Sequence, residues 1–160
     1  RLLAPRLPKA WGFLADGCSK TLNCQIPPKA AYEEAILLAN KILEADSSLT
    51  YLRSLAAEWQ VKIGHTDDAL KNIAQAMLEQ GCDSSCYVRG VITYYLIGAH
   101  ANRQGDNKEY FSARAKSFEM LRKALASGYP AGELEQSPEL GDLIYDPAFK
   151  KIILAGRKNG

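Results

Sequence analysis

From Ala35 to Gly81 the small and apolar residues fall at i, i+1, i+4, i+7 and i+8, which is one stripe of an α-helix. The stripe then returns at a shift of 34 positions: Ala35 maps onto Ala69, Ile36 onto Leu70, Ala39 onto Ile73, Ile42 onto Ala76, Leu43 onto Met77, and the loop residue Ser47 onto Gly81. A fixed period of this length marks stacked helix-turn-helix units, each of which must bury its apolar stripe on a neighbour. Between the two copies, Tyr51, Leu52, Leu55, Ala56, Trp59 and Ile63 make a second helical face that ends at the Gly64 turn.

The flanking segments read the same way. Arg1 to Pro8 is an extended lead-in. A helix over Lys9 to Cys18 carries Trp11, Leu14 and Ala15, and a partner helix over Lys29 to Ala45 is started by Pro28. Ser19 to Pro27 connects them. Thr66 is placed to cap the next helix, with Asp67 and Asp68 favourable against its dipole. Asp83 caps a helix over Ser84 to about Asn102, in which Tyr87, Val91 and Tyr94 recur at helical spacing. With Tyr95, Val88 and Ile92 it is apolar nearly all round, which fits a helix sandwiched between units, with an apolar groove face as the alternative. Asn107 to Ser127 follows, with Phe111, Phe118, Leu121 and Leu125 on its buried stripe and Arg114, Lys116, Arg122 and Lys123 on a solvated face.

Gly128 ends that helix and Tyr129-Pro130 prevents its continuation. Ser137-Pro138-Glu139-Leu140 and Asp146-Pro147-Ala148-Phe149 each join a capping oxygen to a proline and start a short helix. Leu140, Leu143 and Ile144, then Phe149, Ile152, Ile153 and Leu154, fold back over the last long helix. Arg157 to Gly160 is a frayed basic tail. The expected fold is all-α: one domain of about three helical hairpins closed by two short helices.

The doubled stripe, the Gly-centred turn and the small residue of the second helix, with Ala124 standing where Ala76 stands, resemble the tetratricopeptide repeat family. The resemblance implies a modified repeat at 9–47 with the cysteine loop, a regular one at 48–82 and an extended one at 83–128, all in an α-α superhelix. Residues 129–156 look like the module that closes many bacterial arrays of this kind, because a terminal repeat leaves an apolar face to cover.

At 160 residues with 47% hydrophobic and 24% charged content, the chain is an ordinary globular domain. Its net charge of +2 is too balanced for a nucleic-acid footprint or a polybasic membrane anchor. No apolar run reaches the length of a membrane helix. The start at Arg1 is read as a mature form or a fragment.

Cys18 and Cys24 flank a polar loop, and Cys82 and Cys86 flank a helix start. Two local pairs point to two disulfides and to a periplasmic or other extracytoplasmic compartment, with the cytoplasm as the alternative. Four cysteines allow three pairings, so the connectivity is open. A four-cysteine zinc site, a redox sensor, or free buried thiols are the competing readings.

No catalytic constellation can be assembled. The two histidines are far apart, and the nucleophile-elbow, phosphate-loop and H-E-x-x-H patterns are missing. The expectation is a non-catalytic protein with no cofactor or metal. The family resemblance implies that it binds a protein or peptide segment in a concave groove, with Tyr51, Ser54, Glu58, Ser85, Val88, Arg89, Ile92 and Tyr95 facing that groove. Lys9, Gly12, Asp16 and Val61 belong to the same set. Members that clamp a terminal carboxylate would use Gly12, Asp16, Leu55, Ser85 and Arg89, of which only Arg89 suits, so that mode is rejected. The alternative is an accessory subunit of a larger complex that works through its convex and terminal faces.

Overall fold

A computed structural model of the chain describes residues 7–158, all of whose regular structure is helical. The elements are α1 (Pro8–Ser19), α2 (Pro28–Ala45), α3 (Thr50–Lys62), α4 (Thr66–Leu78), α5 (Ser84–Arg103), α6 (Asn107–Ala126), α7 (Ala131–Glu135), a 3-10 segment (Pro138–Tyr145) and α8 (Pro147–Lys158). Of the lead-in expected over 1–8, residues 1–6 lie outside the described residues, as does the tip of the tail, 159–160, while Pro8 opens α1 instead of ending an extended segment.

Helices pack first on their sequence neighbours, α1 on α2, α3 on α4 and α5 on α6. These hairpins are joined where α3 meets α2 and α5, with a smaller contact from α4 to α5. Ala35 and Ala69 are both fully buried, as are Ala39 and Ile73, so the doubled stripe occupies matching settings in α2 and α4. The α3–α4 turn closes at Gly64, whose φ of 85° lies in the left-handed region that glycine adopts without strain.

α3 is the shared wall. Leu55, Ala56 and Trp59 belong to a core with α1 and α2, while Ala57 joins the larger core built from α5, α6 and the C-terminal elements. Contacted on both sides, α3 buries nearly every residue from Arg53 to Gln60, polar ones included. Arg53 donates to the Ser47 carbonyl at 3.1 Å, while its Nε is buried without a hydrogen-bond partner, 3.8 Å from Glu79, and Asn72 donates to the Gln60 side chain at 2.9 Å. α5 is likewise sandwiched, packing on α3, α4, α6 and the 3-10 segment.

Gly12 shows how closely α1 meets α3. A Cβ placed there would lie 2.5 Å from the Trp59 ring, inside any real contact. Gly12→Ala is therefore expected to destabilise by about 1–2 kcal/mol, because overpacking outweighs alanine's better helix propensity. Gly17→Ala, whose Cβ meets open space on the same helix, is expected to be neutral or stabilising. Urea melts should thus show a lowered midpoint for Gly12→Ala and an unchanged or raised one for Gly17→Ala.

The C-terminal elements depart from expectation in detail. Ala131–Glu135, read as loop, forms α7, which starts directly after Pro130. Ser137 makes no side-chain cap, and its segment forms a kinked 3-10 stretch rather than an α-helix, because Gly141 (φ 50°, ψ −128°) breaks it. A Cβ on Gly141 would also strike the Tyr95 hydroxyl. Asp146 does cap α8, accepting the Ala148 N–H at 2.8 Å. Arg114, expected on a solvated face, instead donates to Asp146 through Nη2 at 2.6 Å and Nε at 3.2 Å. The tail is helical through Lys158, with Arg157 paired to Glu135.

Two further sequence expectations fail. Phe111 is exposed rather than on the buried stripe of α6. Thr66 is the first helical residue of α4 rather than its cap; the cap position falls to His65, and the Thr66 hydroxyl is buried without a partner.

Although burial disfavours the Asp146 carboxylate, its bonds from Arg114 and Ala148 outweigh this and hold it below the usual value of 3.8. Its proton is therefore bound less readily in the folded than in the unfolded state. Its stabilising contribution is present above the unfolded value of 3.8 and is lost as pH falls below that, through the lowered value of the folded state. Asp146→Asn should cost about 1 kcal/mol at neutral pH, since this pair is partly solvated, and should flatten the acid limb of a stability–pH curve.

Candidate functional site

Where α1 ends, α2 begins, and α3 and α5 pass side by side, they enclose a cleft of about 560 Å³. Buried Ile92 and Tyr32, with half-buried Leu96 and Pro28, give it an apolar floor; Asp16, Lys20, Lys29, Lys62 and Glu139 give it a charged rim that the exposed Pro138 joins, and Glu58 is buried beneath them. Its fifth side is the 3-10 segment, folded back from the C-terminal end of the chain.

An ion network runs along the rim and ties five elements together. Lys62 Nζ lies 2.7 Å from Asp16 Oδ1 and 3.0 Å from Glu58 Oε1. Arg89 Nη1 lies 3.0 Å from Glu58 Oε2 and 2.9 Å from Glu139 Oε2. The Tyr32 hydroxyl donates to Asp16 at 2.6 Å, and Lys62 stands over the Tyr32 ring. Glu58 and Lys62 are one helical turn apart on α3 and meet by local geometry. The links to Arg89 and Glu139 arise only from tertiary packing.

Burial works against the Lys62 ammonium, but Glu58 and the hydrogen bond to Asp16 outweigh it, so Lys62 sits above the usual lysine range. Burial likewise opposes the Arg89 charge, and Glu58 and Glu139 more than compensate. Desolvation, reinforced by the bond to Asp16, raises Tyr32 and keeps its phenol protonated. The cleft thus offers fixed charges above a greasy floor, which suits recognition of a segment that is both charged and apolar.

The residues expected to face one groove are divided by the structure. Glu58 and Ile92 line the cleft, and Arg89 adjoins it through its two carboxylate partners. Ser54 and Val88 are buried in the packing between helices, the Ser54 hydroxyl being returned to the Tyr51 carbonyl at 2.7 Å. Gly12 is closed off by Trp59. Tyr51, with Lys9 above its ring, belongs to a separate apolar depression at the start of α1 and α3. Tyr95 lines another hollow between α5, α6 and the 3-10 segment, where its hydroxyl donates to Asp142 at 2.5 Å. Ser85 is exposed on the first turn of α5.

Sequence reading missed Lys62, Tyr32, Leu96 and Glu139. For Lys62 the spacing to Glu58 was an available signal; for Glu139, which lies 50 positions from Arg89, there was none. The fold also brings His65 and His100 to one shallow depression beside Asp67 and Asp68. Among the described residues no group of histidine, cysteine and acidic side chains is arranged to hold a metal ion.

Cys18 pairs with Cys24 and Cys82 with Cys86, which leaves no free thiol among the described residues. Such pairing is characteristic of an oxidising compartment. No helix among the described residues is long and apolar enough to cross a membrane. No family model matches the chain, and comparison with curated proteins and with solved structures likewise finds no match.

Proposed function

We propose that this chain is a non-catalytic interaction module of tetratricopeptide-repeat type, and that its cleft takes a protein or peptide segment. The supporting observation is the cleft itself: apolar floor, charged rim, and walls supplied by α1, α2, α3, α5 and the C-terminal segment at once. Such a surface exists only when the hairpins are stacked, so binding and fold are inseparable. The setting we propose is the periplasm or another extracytoplasmic space, on the strength of the two disulfides.

A second reading, an accessory subunit that docks through its outer and terminal faces, is favoured by large apolar side chains left in solvent there. Phe13 is 72% exposed, Phe111 64% and Leu154 58%. Affinity purification of the tagged chain from its native source, after cross-linking, separates the two. Leu96→Arg, which fills the cleft, should abolish a groove-bound partner while Phe111→Arg leaves it in place. The opposite pattern would establish the outer-face reading.

A further inference from the structure

We propose that Glu139 stands in for part of the partner: the segment taken by the cleft is extended and acidic, flanked by proline or apolar residues, and its carboxylate replaces Glu139 on Arg89. This deepens the cleft-binding reading above and rests on it.

Three observations carry it. Arg89 holds two carboxylates of unlike character. The Glu58 side chain is only 2% exposed, and Lys62 also grips it; the Glu139 side chain is 43% exposed and has Arg89 as its ion-pair partner. Glu58 is thus a fixed counter-charge. Glu139 is held by a contact of the solvated kind that contributes little, so it can be exchanged. The backbone beneath need not move for this, because Leu140 is fully buried and anchors the segment while the glutamate side chain swings out.

The charges agree with an anionic visitor. Around the cleft stand Lys20, Lys29, Lys62 and Arg89, of which Lys29 is paired with Glu33 at 3.9 Å, so that three cations face the three carboxylates Asp16, Glu58 and Glu139. Once Glu139 withdraws, two carboxylates face three cations, and an incoming carboxylate restores the balance.

The chain's own segment shows what the wall accepts. Ser137 approaches in extended backbone (φ −73°, ψ 113°), and Pro138 lines the exposed edge of the cleft beside Glu139. A partner of similar composition can lie against Pro28 and Leu96 in the open part of the cleft and present its acid to Arg89.

The test titrates the full chain with two acetylated, amidated peptides. One is Ser-Pro-Glu-Leu-Gly, which copies Ser137–Gly141, and the other has glutamine for the glutamate. Affinity and the NMR signals of the Arg89 side chain and the Leu96 methyls are followed. The glutamate peptide should shift both signals and should bind Glu139→Gln about five-fold more tightly than wild type, the advantage expected when a competing exposed ion pair is removed. The glutamine peptide should leave Arg89 unmoved. Equal affinity for the two peptides, or for the two proteins, overturns the proposal. If both peptides shift Leu96 and neither shifts Arg89, the cleft takes segments without reading their charge; the proposal then falls while the cleft reading stands. If no signal moves with either peptide, both fall.

Discussion

Phe149→Ala is expected to destabilise the protein by about 3–5 kcal/mol, the range for emptying a fully packed aromatic site. Phe149 is 1% exposed and sits in the larger core beside Leu140, Leu143 and Ile153, where α8 closes over α6. Domains of this size are stable by roughly 5–15 kcal/mol in total, so the loss is a large fraction of the whole. If the C-terminal elements are an integral lid, urea unfolding should stay a single transition at a lower midpoint. Amide exchange should then quicken in α5 and α6 as well as in α8. Leu154→Ala on the outer side of the same helix is the control, with an expected change within about 0.5 kcal/mol. A Phe149→Ala protein within 1 kcal/mol of wild type would show that the lid is an appendage.

Glu58→Ala should cost about 2–3 kcal/mol. Removing one member of a buried ion pair commonly costs 3–5 kcal/mol, because the other charge is stranded. Here two cations are stranded, but each keeps a second partner, Lys62 with Asp16 and Arg89 with Glu139, and both side chains are about a fifth exposed. Those features place the loss below the usual range. Glu58→Gln, which keeps the shape and hydrogen-bonding oxygen but not the charge, should fall between wild type and alanine. Chemical denaturation with and without 1 M salt checks the electrostatic origin. A cost that ignores salt and is equal for Gln and Ala would instead assign the effect to packing.

Much of the fold was legible because period-3.6 burial is a local signal. The stripe from Ala35 to Leu43 and its echo from Ala69 to Met77 predicted α2 and α4 closely, and Pro28 and Asp83 marked helix starts that the structure reproduces. The misreadings fall where tertiary contacts override local preference. Phe111 has the spacing of the α6 core face, yet no element covers it. Arg114 reads as solvated until Asp146 arrives from the far end of the chain. Ser137 and Pro138 do mark a helix start, but Ser137 gives no side-chain cap and the helix is of 3-10 type, kinked where Gly141 leaves helical φ and ψ.

The cleft was legible in part for the same reason. A helical wheel places Glu58 and Arg89 correctly on their own helices. It does not reveal that α3, contacted on both sides, turns Ser54 inward, or that the chain's C-terminal segment supplies the remaining wall.

The spacing of the two sulfur bridges bears on how this chain matures. Their partners are six and four positions apart, so each bond closes inside a stretch shorter than a single hairpin. A polypeptide delivered amino end first can seal Cys18 to Cys24 before Cys82 has emerged, so neither bridge needs the other pair of cysteines to be present.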